Sequence, residues 1–232
     1  MHPSTMTTQS TAIRSLATAA LALLTSCGML ANSAAASAAP ASAAPASPRY
    51  ERSLWSQSVT ECDRLAAHGE DPDRVAPGVA ESKVDLPAAI AACRVDLARD
   101  SNNPRLQYQL GRALAYSGVI NEALPLLDKA SQSAYPQAQF VLAYLLLEGR
   151  LKAPVDRCRA LGLLRAAAAQ QRMAAQIGLA VWQLGGSFRE CANPPAAAEL
   201  LQQLAAAREQ KPGFYPLLLI EDLERQLRAT GP

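Results

Sequence analysis

Residues 104–130 of this chain read PRLQYQLGRALAYSGVINEALPLLDKA. The apolar residues of this stretch recur every three or four positions, the spacing of one face of an α-helix, and Gly118 interrupts the pattern once. Pro104 stands where a first helical turn tolerates a missing N–H, and Asn103 precedes it as a candidate cap. The stretch therefore predicts two helices joined by a tight turn.

The same pattern extends in both directions along the chain. Ala89, Ala123, Ala160 and Ala197 are separated by 34, 37 and 37 residues, and each is followed four positions later by an apolar residue (Cys93, Leu127, Leu164 and Leu201). A small residue beside an apolar one on the same helix face lets a neighbouring helix approach closely. We expect helices near 53–67, 85–99, 104–117, 121–133, 136–149, 156–170, 172–185, 195–209 and 214–228. A period of this size is typical of a helical solenoid, so the sequence predicts an all-α fold.

Several of these residues resemble known repeat families. Leu110-Gly111, Leu114, Ala123, Leu127 and Ala130 resemble the tetratricopeptide repeat. The longer spacing after them is similar to the Sel-1-like repeat, in which an extended loop, here Leu151 to Asp156, separates paired helices. The resemblance covers about 85–210, and its first segments are similar to those of exported proteobacterial repeat proteins. It implies a right-handed α-solenoid of helical hairpins whose first helices line a concave groove.

The N-terminal residues predict export. Arg14 precedes the apolar run 15–24, which is too short to span a bilayer. The run ends in Leu24-Thr25-Ser26-Cys27, which resembles the bacterial lipobox and implies a lipidated Cys27. Because Gly28 follows instead of aspartate, the resemblance favours the outer membrane. The alternatives are cleavage near 36–38 and an uncleaved anchor.

Composition then divides the chain into three parts. Residues 28–52 are rich in Ala, Ser and Pro and cannot offset their ordering entropy by burial, so we expect a disordered tether. We therefore predict a lipoprotein-type signal peptide over 1–27, a linker over 28–52 and a repeat domain over 53–232. The predicted location is the periplasm, with the membrane reached only through the lipid anchor.

Four cysteines fall in the predicted repeat domain: Cys62, Cys93, Cys158 and Cys191. None forms a C-x-x-C pair, so a zinc site is not indicated. An even number in an exported chain predicts two disulfides. In a stack where each element contacts only its neighbours we expect Cys62–Cys93 and Cys158–Cys191. The alternative is a buried free thiol at Cys93, which occupies a position that leucine fills in later repeats.

Nothing in the sequence indicates catalysis or a cofactor. The net charge is +2 with both signs dispersed, which does not favour nucleic acid as a partner. His68 is the only histidine beyond His2, and we interpret it as an exposed helix-end residue. The acidic segment Glu70, Asp71 and Asp73 lacks the glycine and closing glutamate of a calcium loop, and we interpret it as a solvated turn. We expect no enzyme, no metal and no cofactor.

The predicted function is binding of another protein by a monomeric scaffold or regulator. The residues expected on the groove face are Arg105, Tyr108, Arg112, Gln137, Phe140, Tyr144, Arg172 and Trp182. Arginine and aromatic side chains are common anchors of protein interfaces, and the arginines are expected to lie outside the core. The aromatic residues could instead be core. The alternative function is binding or modification of cell-wall glycan, for which Glu148 is the nearest candidate carboxylate.

Overall fold

The structure is a computed structural model that describes residues 48–229. Within that range the chain forms α-helices and short 3-10 turns with no strand, which confirms the predicted all-α class. The helices are α1 (Glu61–Ala66), α2 (Leu86–Arg99), α3 (Pro104–Tyr116), α4 (Ile120–Gln132), α5 (Pro136–Glu148), α6 (Arg157–Ala169), α7 (Met173–Leu184), α8 (Ala197–Glu209) and α9 (Phe214–Ala229). The predicted signal peptide, Cys27 and nearly all of the predicted linker lie outside the described residues.

Each helix packs mainly against its neighbours in sequence, and α3 also contacts α1 as α9 contacts α7. The predicted helix ends are largely present. Asn103 caps α3 by accepting a hydrogen bond from the backbone N–H of Arg105 at 3.2 Å. Gly149, with φ 58°, ends α5 in the left-handed region that glycine adopts without strain. These local signals set where each helix begins and ends, and so they set which residues share a face.

The sequence predicts a small residue at each contact between paired helices, and we call this row of residues the small-residue seam. It is present in the first three helix pairs. Ala89, Ala123 and Ala160 are all buried. Gly111 shows how close the helices come, because a Cβ atom there would lie 3.0 Å from Leu127 Cγ on α4. A small residue at this point is therefore required by the packing of α3 on α4.

The predicted register of the fourth repeat is wrong. Ala197 is exposed, and α8 instead buries Leu200, Leu204 and Ala207, so its spacing from Ala160 is 40 residues and not 37. The connection over 185–196 carries the difference, and it buries Phe188 and Cys191 in the core. Three extra residues make nearly one helical turn, so the sequence pattern fits either register.

Both expected disulfides are present. Cys62–Cys93 joins α1 to α2 with a Cα–Cα distance of 4.4 Å, and Cys158–Cys191 joins α6 to the connection before α8 with a Cα–Cα distance of 5.3 Å. They indicate an oxidising extracellular or periplasmic environment. None of the helices between residues 48 and 229 is long and apolar enough to cross a membrane.

The N-terminal helix is shorter than predicted. Residues 52–54 form a 3-10 turn, the following residues are irregular, and α1 begins only after Thr60, which caps it together with Asp63. Arg105 donates hydrogen bonds to the backbone carbonyls of Ser56 and Ser58, at 3.1 and 3.3 Å. These carbonyls are therefore engaged by a side chain and not by the N–H groups of a helix. Packing also begins before residue 53, since Tyr50 lies edge-on to Tyr135 with ring centroids 5.0 Å apart.

The last helix covers the end of the core, but its outer side is not uniformly polar. Ile220, Leu223 and Leu227 are buried, and Leu217 is half-buried. Glu221 and Arg225 are exposed, whereas Asp222 and Glu224 are half-buried. The first turns of α9 also expose the apolar residues Phe214, Tyr215, Leu218 and Leu219.

Candidate binding groove

A groove of about 860 Å³ runs across α3, α5 and α7. Pro104 and Pro136 begin α3 and α5, and the side chains that follow at steps of three or four residues project from one face of each helix. Six of the eight residues expected on the groove face line it: Tyr108, Arg112, Gln137, Phe140, Tyr144 and Arg172. Leu127, Val141, Leu145, Met173 and Ile177 supply apolar wall, so the groove is amphipathic.

Residues that were not predicted also line the groove. They are His68, Glu70 and Glu81 from segments outside the long helices, Tyr116 of α3, and Gln210 and Pro216. Tyr116 follows Arg112 by four residues and so could have been found from helical spacing. The residues from the segments outside the long helices could not, because their positions depend on how loops fold over the helices.

Arg105 does not line the groove, and the expectation that it lies outside the core is wrong. Its side chain is 1% exposed, and its Nε atom lies 2.9 Å from Asp63 Oδ1. The carbonyls of Ser56 and Ser58 accept hydrogen bonds from its two Nη atoms. A buried charge needs such a set of partners, and the sequence could not show them because Asp63 is 42 residues away.

Trp182 also lies outside the groove lining. Its ring packs over Gly178, where a Cβ atom would lie 2.4 Å from Trp182 Cζ3. Its Nε1–H donates to Glu148 Oε1 at 2.9 Å. Glu148, the carboxylate considered for glycan chemistry, is thus engaged by Trp182 and does not line the groove either.

A polar cluster forms part of the groove floor around Gln137. Its Nε2 atom donates to the Tyr108 hydroxyl at 3.2 Å and lies 3.4 Å from His68 Nδ1. Its Oε1 atom accepts a hydrogen bond from Arg172 Nε. Gln137 of α5 therefore links Tyr108 of α3 and Arg172, which precedes α7, with the loop that carries His68.

His68 is not the exposed helix-end residue that the sequence suggested. It is half-buried, and burial, followed by the charges of Arg112, Arg172 and Arg74, lowers its pKa from 6.5 to about 4. His68 is therefore neutral at pH 7. The dependence on two groove arginines shows that the potential around this histidine is positive.

Asp71 is likewise not part of a solvated turn. It is fully buried, its Oδ2 atom accepts a hydrogen bond from the Tyr135 hydroxyl at 2.7 Å, and its Oδ1 atom accepts one from the N–H of Asp73 at 3.0 Å. Burial raises the pKa of Asp71 from 3.8 to about 6. Glu70 remains exposed and Asp73 is half-buried. Within residues 48–229 no group of three or more His, Cys, Asp or Glu side chains is arranged to hold a metal ion.

Two of the arginines that line the groove are buried, so the expectation that the arginines lie outside the core is wrong for them as well. Arg112 is 4% exposed, its Nη2 atom donates to the Ala66 carbonyl at 2.8 Å, and its guanidinium lies 5.2 Å from the Tyr116 ring centroid. Arg172 is 7% exposed, and its guanidinium lies 5.3 Å from the Phe140 ring centroid. Burial lowers the pKa of Arg172. The site combines cationic groups with aromatic and aliphatic walls, which suits a ligand that is partly apolar and partly anionic.

The chain has no match among protein-family models, curated proteins or solved structures. Functional inference therefore depends on the groove itself. Its size is within the range of sites that bind small molecules or a few residues of a peptide.

Proposed function

We propose that the protein is a non-enzymatic repeat protein of the cell envelope that binds a segment of a partner protein in the groove, as a scaffold or regulator. The observation that carries this proposal is the convergence of six predicted groove residues on one cavity of about 860 Å³. Aromatic and arginine side chains are enriched among residues that dominate interface energies. Packed helices hold these side chains in place, so little ordering entropy would be lost on binding.

The proposed architecture is a right-handed α-solenoid of the tetratricopeptide or Sel-1-like type, acting as a monomer. It is supported by helices that pack on their sequence neighbours and by the recurring small-residue seam. The proposed location is the periplasm, with a lipid on Cys27 anchoring the protein to the outer membrane through the Ala/Ser/Pro-rich linker. Mass spectrometry of the mature N-terminus tests the anchor, and an unmodified N-terminus within 36–40 would contradict it.

Site-specific photo-crosslinking tests partner binding. A photoreactive phenylalanine analogue in place of Tyr144, which lines the groove, is expected to form an adduct with a defined envelope protein. The matched control places the same analogue at Lys129, which lies on α4 outside the groove. Equal adducts at both positions, or none at position 144, would contradict the proposed function.

The alternative proposal is binding of cell-wall glycan. It is favoured by one observation, that Glu70 and Glu81 line the groove together with Tyr116. Aromatic faces and carboxylates are common in sites for sugars, and a glycosidase places two carboxylates across its groove. Co-sedimentation of the protein with purified peptidoglycan, lost in Glu81→Gln, would indicate glycan binding. Release of glycan fragments during the same incubation would indicate glycan modification. Neither result is expected if the groove binds a peptide.

A further inference from the structure

Arg112 and Arg105 are two buried arginines on the same helix with different surroundings. Arg105 meets the carboxylate of Asp63 and two backbone carbonyls. Arg112 is nearly as buried but donates to the Ala66 carbonyl and lies against the neutral Tyr116, while its Nε and Nη1 atoms have no hydrogen-bond partner. Among the described residues no ion pair involves Arg112. Buried polar groups without partners are rare in native proteins, so this charge calls for an explanation.

Arg172, the residue that precedes α7, is in a similar position. Its Nε–H donates to Gln137 Oε1, and no ion pair with Arg172 occurs within residues 48–229. The fully buried carboxylate nearby, Asp71, already accepts hydrogen bonds from Tyr135 and Asp73. Glu70 and Glu81 are exposed and form no ion pair with either arginine, although burial lowers the pKa of Arg172 and the charges of Asp71 and Glu70 raise it against that effect. Neither groove arginine is therefore neutralised by direct contact with an acidic side chain of the described residues.

The apolar residues beside Arg172 indicate that the ligand has an apolar part next to its anionic group. Phe140 lies under the Arg172 guanidinium, and Met173 and Ile177 follow on α7 at the same wall of the groove. An anionic group bound at the arginines would have an apolar surface directly beside it. Strongly hydrated anions without an apolar body would leave that surface uncovered.

We propose that the part of the groove around Arg172 and Arg112 is a carboxylate-binding subsite, in which these arginines hold a peptide carboxylate while an adjacent apolar side chain of the ligand packs against Phe140, Met173 and Ile177. Arg172 is the expected hydrogen-bond donor, and the buried charge of Arg112, which forms no ion pair with a described residue, adds attraction. This inference rests on the proposed function, because it names the chemistry by which the groove recognises a segment of its partner.

The test uses a matched pair of small probes, N-acetyl-phenylalanine and N-acetyl-phenylalanine amide, titrated into the purified full-length protein. The only difference between the probes is the carboxylate, and the readout is the imidazole NMR signal of His68. A bound anion offsets the positive potential around His68 and should raise its pKa from about 4. We expect the acid to bind about tenfold more tightly than the amide, since hydrogen bonds to charged groups are the stronger ones. Equal binding of acid and amide, or no response of His68 to millimolar acid, would overturn the proposal.

Variants separate a binding role from a merely structural one. Arg172→Gln is expected to lower the affinity for the acid about tenfold while leaving the affinity for the amide unchanged. Arg94→Gln is the control, because it removes one positive charge from an exposed ion pair with Glu122 outside the groove. Arg112→Lys keeps the positive charge, whereas Arg112→Gln removes it. If the affinity for the acid is retained in Arg112→Lys and lost in Arg112→Gln, the charge at this position contributes to binding. Loss of amide affinity together with acid affinity in Arg172→Gln would indicate a structural effect and contradict the proposal.

Two sources of carboxylate remain to be distinguished, a chain terminus and an acidic side chain. The two test peptides, one for each arm of the experiment, are acetyl-Ala-Leu-Phe with a free C-terminus and acetyl-Leu-Asp-Phe amide with a single side-chain carboxylate. The proposal expects at least one arm to bind in an Arg172-dependent manner, and the tighter arm identifies the source. If crosslinking at Tyr144 succeeds while neither arm depends on Arg172, the subsite is wrong and the proposed function stands. If crosslinking fails while probe binding depends on the carboxylate and on Arg172, the subsite stands and the proposed function is wrong.

Discussion

Single residues in this protein show how similar side chains take different roles from their surroundings. Arg105 and Arg112 lie two helical turns apart on α3 and are both buried. Arg105 has a carboxylate within 2.9 Å and completes the contact between α1 and α3, whereas Arg112 has none and lies at the groove. Burial alone therefore does not distinguish the two arginines; the presence of a counter-ion does.

We predict that Arg105→Ala lowers the free energy of unfolding by about 3–5 kcal/mol, because it leaves the buried Asp63 carboxylate without its partner. Urea denaturation measures the change. The control is Arg159→Ala, which breaks an exposed pair with Asp128 and should cost less than about 1 kcal/mol. Equal losses in the two variants would show that the buried pair contributes no more than a surface one.

Asp71 and His68 should have opposite effects on stability between pH 4 and 6.5. The pKa of Asp71 is raised from 3.8 to about 6, so the stability that it contributes is complete below pH 3.8 and is lost as pH rises through about 6. The pKa of His68 is lowered from 6.5 to about 4, so its contribution is complete above pH 6.5 and is lost as pH falls through about 4.

The two variants Asp71→Asn and His68→Gln separate these effects. Relative to the unmodified protein, Asp71→Asn should gain stability as pH rises from about 4 to 6, and His68→Gln should lose stability over 4 to 6.5. Each slope is at most about 1.4 kcal/mol per pH unit. Denaturant unfolding at a series of pH values measures both. Parallel profiles for the two variants would mean that neither pKa is shifted in this way.

At the level of elements, the connections between helices decide which positions of the following helix are buried. The connection over 185–196 moves the buried positions of α8 by three residues relative to the pattern in α6, and Cys191 fastens that connection to Cys158. Asp96 on α2 shows a second such effect. It stands where later repeats have apolar residues, and it accepts a hydrogen bond at 2.9 Å from the N–H of Cys62 in the first turn of α1.

We predict that replacing both Cys158 and Cys191 by serine lowers the free energy of unfolding by about 3 kcal/mol. The bridge closes a loop between cysteines that are 33 residues apart, and removing it frees the unfolded chain. Urea denaturation under oxidising conditions measures the loss. Cys62→Ala with Cys93→Ala tests the other bridge in the same way. Under a reducing agent the unmodified protein should lose more stability than either double variant, and an unchanged midpoint would contradict the prediction.

At the level of the whole molecule, contacts between sequence neighbours should make stability vary along the array. Helices α3 to α6 have packed neighbours on both sides, whereas α9 packs mainly on α8 and α7 and exposes Phe214 and Tyr215. An end element with neighbours on one side opens at lower free energy than an inner one.

Hydrogen exchange should therefore show the fastest opening in α9 and the slowest in α3 to α6. Leu223→Ala, at a buried position of α9, should speed exchange in α8 and α9 and leave α3 nearly unchanged. Leu219→Ala, at an exposed position of the same helix, is the matched control and should have little effect. Uniform exchange across all helices would show instead that the array unfolds as one cooperative unit.

Local patterns in the sequence determined the helices, most of their ends, the small-residue seam and the disulfide pairing, because each depends on residues close in sequence or in adjacent repeats. They also placed six groove residues, since helical spacing assigns side chains to a face. Tertiary structure decided the rest. Asp63 reaches Arg105 and Tyr135 reaches Asp71 across 42 and 64 residues, and such distant partners have no signature in local spacing. Whether a charged side chain is neutralised inside the fold or left for a ligand depends on those distant partners, which only the packed chain brings together.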